Sequence, residues 1–220
     1  MSATGTLVTE QHFEYLTAHT TPEDRLLGEL KAAARKAGIP AIWISPAQAS
    51  LMQILLRAAG ARTVVEVGTL AGYSAIAMAR ALPRDGHVHT IEIDGAHADF
   101  AERWIARSDV AGRVTVHRGP GAEVLPRLPV PTGGADAAFL DADKVGYPVY
   151  LEHALRLVRP GGLVLVDNAF AFGQLFDEAP SDREVGAVRA FNETMAAETR
   201  LQSVIVPIGD GLWVGVRRPA

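Results

Sequence analysis

From Arg62 onward the chain alternates short, nearly unbroken apolar runs with segments of helical spacing. The runs cover residues 63–67, 88–93, 114–117, 137–140 and 163–166. Between them, residues 73–82, 96–108, 122–128 and 147–158 repeat apolar side chains every three to four positions. A strand that is apolar at every position cannot turn one face to water, so both faces need cover. The intervening helices supply it. Right-handed crossovers between parallel strands are the arrangement that places them so. The pattern therefore predicts an α/β fold with a doubly wound, mostly parallel sheet.

The two ends of the chain depart from that alternation. The first 60 residues read as a helical cap. Thr21-Pro22-Glu23-Asp24 predicts a helix with Thr21 as N-cap and Pro22 at the first helical position, stopped by Gly38. Ser45-Pro46-Ala47-Gln48 reads as a capping box, with Leu51, Ile54, Leu55 and Ala58 on the stripe behind it and Gly60 at its end. After a helix at 183–198, runs 201–207 and 212–216 flank Ile208-Gly209-Asp210-Gly211. That turn predicts an antiparallel β-hairpin at one sheet edge. No repeat or linker interrupts the chain. The expectation is one domain over 1–220, with the cap at 1–60 and the α/β core at 61–220.

Composition removes several chemistries. There is no cysteine, which excludes a thiolate nucleophile, a disulfide scaffold and thiolate metal sites. The seven histidines show no metal-ligand spacing. With 21 Lys and Arg against 25 Asp and Glu, the net charge is −4 and no basic field marks a nucleic-acid partner. No apolar run approaches the ~20 residues that span a bilayer. The start of the chain lacks the pattern of a signal peptide. The expectation is a cytoplasmic protein with a small-molecule partner, no nucleic acid and no membrane. Trp43, Trp104 and Trp213 read as packing residues.

Chemistry-bearing residues collect where the strands end. Val65-Glu66-Val67-Gly68-Thr69-Leu70-Ala71-Gly72-Tyr73-Ser74 runs a strand through a Gly-rich turn into a helix. Glycines allow close backbone approach, and the helix start offers N–H donors to a ligand. The spacing is neither the G-x-G-x-x-G dinucleotide fingerprint nor a phosphate loop followed by Lys and Ser or Thr. Glu92 ends the second strand, where an acid can accept both hydroxyls of a ribose. Together these point to an adenosine-containing cofactor. The fourth strand runs into Asp141-Ala142-Asp143-Lys144 and the fifth into Asp167-Asn168. If those strands are neighbours, Asp141, Asp167 and Asn168 offer three oxygens to one point. Hard donors of that kind suit Mg²⁺, Mn²⁺ or Ca²⁺.

These motifs, in this order and together with Gly209-Asp210-Gly211-Leu212, resemble the cation-dependent O-methyltransferases of the catechol and caffeoyl-CoA type, over about residues 44 to 217. The resemblance implies a class I methyltransferase, Rossmann-like, with seven strands and the last one reversed. It implies S-adenosylmethionine as methyl donor and Mg²⁺, or Mn²⁺ or Ca²⁺, on Asp141, Asp167 and Asn168. It places Ile44, Glu66, Gly68, Thr69, Ser74, Glu92, Gly121, Ala122 and Asp141 at the cofactor. Asp143, Tyr150, Phe170 and Phe172 fall at the substrate, and Lys144 matches the catalytic base. The implied acceptor is a vicinal dihydroxy aromatic compound, and the implied assembly is a homodimer. Phe170, Phe172 and Phe176 crowd one short segment, which reads either as a lid over the ring or as a packed loop. Three rivals share parts of the pattern: a nucleotide-cofactor oxidoreductase, a methyltransferase with another acceptor, and a non-catalytic binding module.

Overall fold

The computed structural model describes residues 9–219. Three helices, α1 (Glu10–His19), α2 (Arg25–Lys36) and α3 (Pro46–Ala58), precede the alternating part. The remaining elements are β1 (Thr63–Val67), α4 (Tyr73–Ala81), β2 (His87–Glu92), α5 (Gly95–Ala106), β3 (Val114–Arg118), α6 (Gly121–Val124), β4 (Ala135–Leu140), α7 (Tyr147–Leu157), β5 (Val158–Val166), α8 (Val185–Ala197), β6 (Leu201–Val206) and β7 (Leu212–Arg217). The seven strands form one sheet in the order β3-β2-β1-β4-β5-β7-β6. β1 to β5 pair in parallel, while β7 runs antiparallel to both β5 and β6. The expected hairpin and the reversed last strand are both present.

Strand periodicity splits the core in two. Val64, Ala137, Phe139, Leu163 and Leu165 point to one face, where they meet Leu30, Met52, Leu56, Ile76 and Phe100 of α2 to α5. Val65, Val67, Ala138, Leu140, Val164 and Val166 point to the other, against Leu151 and Leu155 of α7 and Phe191 and Met195 of α8. At the centre of the sheet, β1, β4 and the last five residues of β5 are covered on both faces, which is why they read as unbroken apolar runs, whereas the edge strand β3 keeps exposed positions. β1 has β2 on one side and β4 on the other, so the winding reverses beside it. Open α/β sheets hold ligands at that switch point, outside the carboxyl ends of the strands.

Most element ends fall within about two residues of expectation; four local features differ in a way that has a physical cause. The cap of α2 is Asp24 rather than Thr21, and its carboxylate accepts from the Leu27 N–H at 2.9 Å. Glu23 and Asp24 are held outside the helix because they tie it to α4: Tyr73 donates to Glu23 at 2.8 Å, and Arg80 pairs with Asp24. Ser45 does cap α3, accepting from Gln48 N–H at 3.2 Å, but the Gln48 side chain does not return to close the box. The helix expected at 122–128 ends at Val124 and continues as a 3₁₀ turn, Leu125–Arg127, where Pro126 removes a helical donor. β5 begins at Val158 and runs through Pro160-Gly161-Gly162; the register shift between Ala135 and Ala137 absorbs that break.

Candidate active site

The carboxyl ends of β1, β2, β4 and β5 open into a cavity of about 1200 Å³, completed by residues 42–45, Asn168, Phe172, and residues 181–184 and 209–210. On the β1 side, Gly68 has φ +104°, and a Cβ there would overlap the carbonyl oxygen of Asp141. Only glycine lets the β1 turn lie this close to the end of β4. Glu92 accepts from Leu70 N–H at 2.7 Å and from Asp94 N–H at 2.9 Å, so one carboxylate fixes the turns after both β1 and β2. Each of its oxygens keeps a lone pair for a ligand.

Glu66 lies beneath this turn and is fully buried. One oxygen accepts from the Ser74 hydroxyl. The other is the single buried side-chain polar atom among the described residues that finds no partner. Burial pushes Glu66 up to about 7, because the charged form loses its hydration.

On the other side, Leu140 pairs with Val166, so the residues that follow, Asp141 and Asp167, leave adjacent strands side by side. Asp167 N–H donates to the Leu140 carbonyl at 3.0 Å, and Asp141 N–H to that of Val67 at 2.9 Å. Burial, with the Asp141 charge beside it, holds the Asp167 carboxyl well above the usual carboxylate range. Asn168 takes φ +62° at the cavity edge, and its Nδ2 donates to Asp210 at 3.0 Å. Lys144 is buried; its Nζ donates to the Tyr147 hydroxyl at 2.7 Å and to Asp141 at 3.3 Å, and lies 5.9 Å from the centre of the Phe172 ring. The Tyr147 hydroxyl in turn donates to the Asp167 carbonyl at 3.3 Å. Asp143 accepts from the Tyr150 hydroxyl at 2.6 Å and from Gly146 N–H at 2.8 Å.

Backbone strain concentrates here. The four non-glycine residues with positive φ, among those described, are Leu70, Asn168, Ala171 and Phe172, all in the two loops that frame the cavity. Each such conformation costs on the order of 1–3 kcal/mol and persists only where the surroundings impose it. Asp210 does so for the second loop, accepting from Phe172 N–H at 2.7 Å and Gly173 N–H at 3.2 Å.

Most of the expected residues meet in one place. Ile44, Gly68, Thr69, Ser74, Glu92, Gly121, Asp141, Asp143, Lys144, Tyr150, Asp167, Asn168 and Phe172 line the cavity, and Glu66 sits below it. Ala122 and Phe170 do not join them. Ala122 is exposed on the outer side of α6; its neighbour Gly121 faces inward, tight against Val67 and Tyr150. The Phe170 ring packs on Gly211, where its N–H donates to the Asp210 carbonyl at 2.8 Å. Phe176 is 92% exposed and lies off the cavity. The three phenylalanines thus divide into a packed ring, a lining ring and a solvent-facing ring.

Other residues join the site without having been expected. Trp43 lines the cavity, its ring stacked under Arg35 at 5.1 Å, rather than serving only as packing. Gln48, 1% exposed, reaches Asp167, and Tyr147 anchors Lys144. The signal for Gln48 is an amide one turn before the buried Met52 on an otherwise apolar stripe; for Tyr147 it is spacing three residues after Lys144. Among the described residues, no group of three or more His, Asp or Glu side chains is arranged to hold a metal ion. The expected set has two carboxylates and one amide. No helix among them is long and apolar enough to cross a membrane.

Known proteins are similar in architecture and sequence. A family model described as O-methyltransferase matches residues 17–218. A catechol O-methyltransferase of Niastella koreensis is 40% identical over 185 residues, covering 84% of this chain and 83% of its own. The crystal structure of an O-methyltransferase from Bacillus cereus in complex with SAH superposes with a TM-score of 0.84 at 34% identity, over 93% of this chain and 96% of that one. One from Streptomyces achromogenes in complex with SAM gives 0.82 at 33%, over 96% and 100%. Family model and relatives span nearly the whole α/β core and most of the helical cap, and on that ground the chain belongs to the O-methyltransferase family.

Proposed function

We propose that this O-methyltransferase moves a methyl group from S-adenosylmethionine to one hydroxyl of a vicinal dihydroxy aromatic compound, with a divalent cation, Mg²⁺ first, held by Asp141, Asp167 and Asn168. The observation that carries the proposal is the side-by-side pair of carboxylates at the ends of β4 and β5, one of them buried, with a carboxamide at the next position. Such a pair is unfavourable on its own, and a hard cation relieves it. The relative from Niastella koreensis, named for catechol, supports the acceptor class.

S-adenosylmethionine, when bound, would supply a sulfonium methyl for direct transfer to the acceptor oxygen. The cation, when bound, supplies Lewis-acid polarisation and a template for two neighbouring oxygens. The chain supplies the rest. Glu92 accepts the ribose hydroxyls on the lone pairs that Leu70 and Asp94 leave open. Gly68 and Ser74 face the amino-acid end of the donor, with the unpaired oxygen of Glu66 beneath them. Lys144, in its neutral amine form, would take the proton from the attacking hydroxyl on the lone pair left free when its N–H groups are held by Tyr147 and Asp141. Trp43, Ile42 and Phe172 offer an apolar wall to the aromatic ring. Holding acceptor and methyl in line can contribute up to ~7–11 kcal/mol to such a step, so the rigidity of these contacts matters to the rate.

The test is transfer of labelled methyl from S-adenosylmethionine to a panel of catechols and matched monophenols, with Mg²⁺ and with excess chelator. The proposal expects catechol-selective, chelator-sensitive transfer. Full turnover in chelator would remove the cation; equal use of monophenols would replace the acceptor class.

A further inference from the structure

Gln48 and Asp210 touch the two ligand candidates beyond Asp141 without being ligand candidates themselves. Gln48 stands on α3, 119 residues away from Asp167 in the chain, and its Nε2 donates to Asp167 Oδ1 at 2.8 Å. The contact is buried on both sides, with Gln48 1% and Asp167 6% exposed. A donor fixed there sets the rotation of the carboxylate plane and leaves its remaining lone pairs for another partner. Asp210 acts on Asn168 in the complementary sense. An ionised carboxylate only accepts, so the Asn168 amide must present Nδ2 to Asp210, as it does at 3.0 Å. Its Oδ1 is thereby turned the opposite way.

Both supports meet at one turn. Gly209 has φ +58°, and a Cβ there would overlap Gln48 Oε1, so the β6–β7 turn closes directly on the Gln48 amide. The next residue, Asp210, is itself pinned by the N–H groups of Phe172 and Gly173. This gives the Gly209-Asp210 pair a role that strand pairing alone does not require.

We propose that Gln48 and Asp210 are positioning residues that hold Asp167 and Asn168 in ligating orientation for a divalent cation. The proposal rests on the cation reading of the site. Polar partners of metal ligands typically change metal affinity by ~10–100-fold when removed.

The experiment is titration of the full chain with Mn²⁺ alone, followed by calorimetry, with Tm and S-adenosylmethionine affinity measured on the same samples. Gln48→Met keeps the volume and removes the donor. The expected result is Mn²⁺ binding weakened ~10–100-fold, with cofactor affinity and Tm near wild type, and with turnover recovering as Mn²⁺ is raised. A merely structural role would move Tm and cofactor affinity and would not respond to added Mn²⁺. If wild type binds no Mn²⁺, or Asp167→Asn binds it as wild type does, the cation reading fails and the positioning role with it. If Asp167→Asn loses binding while Gln48→Met keeps wild-type affinity, the positioning role alone is overturned. Should Gln48→Met fold poorly, Asp210→Ala, which removes the acceptor for Asn168, decides: tenfold or greater weakening with S-adenosylmethionine affinity retained supports the proposal, and wild-type affinity overturns it.

Discussion

The cavity has two sides that solve the same problem differently. At β1 and β2 the walls are backbone: Gly68 and Gly72 turn with positive φ, and Glu92 gathers N–H groups from both turns. At β4 and β5 the walls are side chains: Lys144 links Asp141 to Tyr147, Tyr147 reaches the Asp167 carbonyl, and Asp210 holds Asn168 beside them. Each side buries a carboxylate whose ionisation is disfavoured. For both, burial is the main cause and the charge of Asp141 a further one. Glu66 has only the Ser74 hydroxyl as a partner and leaves one oxygen unpaired, whereas Asp167 has the Gln48 amide. A backbone-walled side tolerates few substitutions because space is the constraint. A side-chain-walled side tolerates shape changes but not changes of charge.

The largest expected effect breaks the second side. Asp167→Ala removes a proposed ligand and relieves Asp141 of its neighbour, so the fold survives while transfer falls. We expect a loss of roughly a thousandfold or more in kcat/KM, about 4 kcal/mol, with S-adenosylmethionine affinity little changed. Methyl-transfer kinetics with and without chelator, beside calorimetry for the cofactor, check it. Retained turnover would mean that Asp167 is not needed for transfer.

On the first side the comparable lesion is steric. Gly68→Ala places a methyl on the Asp141 carbonyl at a φ that alanine avoids. Strain of ~1–3 kcal/mol plus displacement of the strand ends should cost more than about 3 kcal/mol of stability, together with cofactor binding. Urea unfolding measures the first and calorimetry the second. An alanine variant of native stability would show that the turn has slack that the close approach of β1 to β4 denies.

The Glu66 prediction concerns pH. Its carboxyl is raised from 4.5 to about 7, so the folded state keeps the proton that the unfolded chain has already released. The stability held below the unfolded value is lost as pH rises through 7. Glu66→Gln does not titrate and escapes that loss. Between pH 4 and pH 8 the difference in unfolding free energy between variant and wild type should therefore move in the variant's favour by about 3 kcal/mol. A pH-independent difference would mean that Glu66 is ionised in the fold. It would also end the contrast between a lone buried acid and a paired one.

The sequence displays the backbone-walled side more openly than the supports of the other. Glycines at turns and an acid at a strand end are local signals, so Gly68, Gly72 and Glu92 are found by reading along the chain. Asp141, Asp167 and Asn168 are also legible, because neighbouring parallel strands bring their ends together by register. Their supports are not. Gln48 sits in a four-residue pattern that local rules assign to a capping box, and only a contact across 119 residues shows that its side chain goes elsewhere. Thr21 and Asp24 compete as caps, and ties to α4 decide between them. Ala122 and Gly121 differ by one position on a short helix, and which one faces inward depends on the close approach of Val67 and Tyr150.

The smallest effect separates two aromatic residues two positions apart. Phe170 packs on Gly211, while Phe172, 37% exposed, lines the cavity near Lys144. Truncating an aromatic wall at a ring-binding site costs roughly 1 kcal/mol, about a five- to tenfold rise in KM for the aromatic acceptor. Phe172→Ala should show that rise with little change in Tm. Phe170→Ala should do the reverse, lowering Tm because the strained loop loses its contact with the β6–β7 turn, with KM nearly unchanged. Steady-state kinetics and thermal melts on the two variants read both quantities. If the variants exchanged phenotypes, the segment would act as a lid whose occupied state turns Phe170 inward. If both raised KM equally, the loop would contribute through its rigidity rather than through one ring.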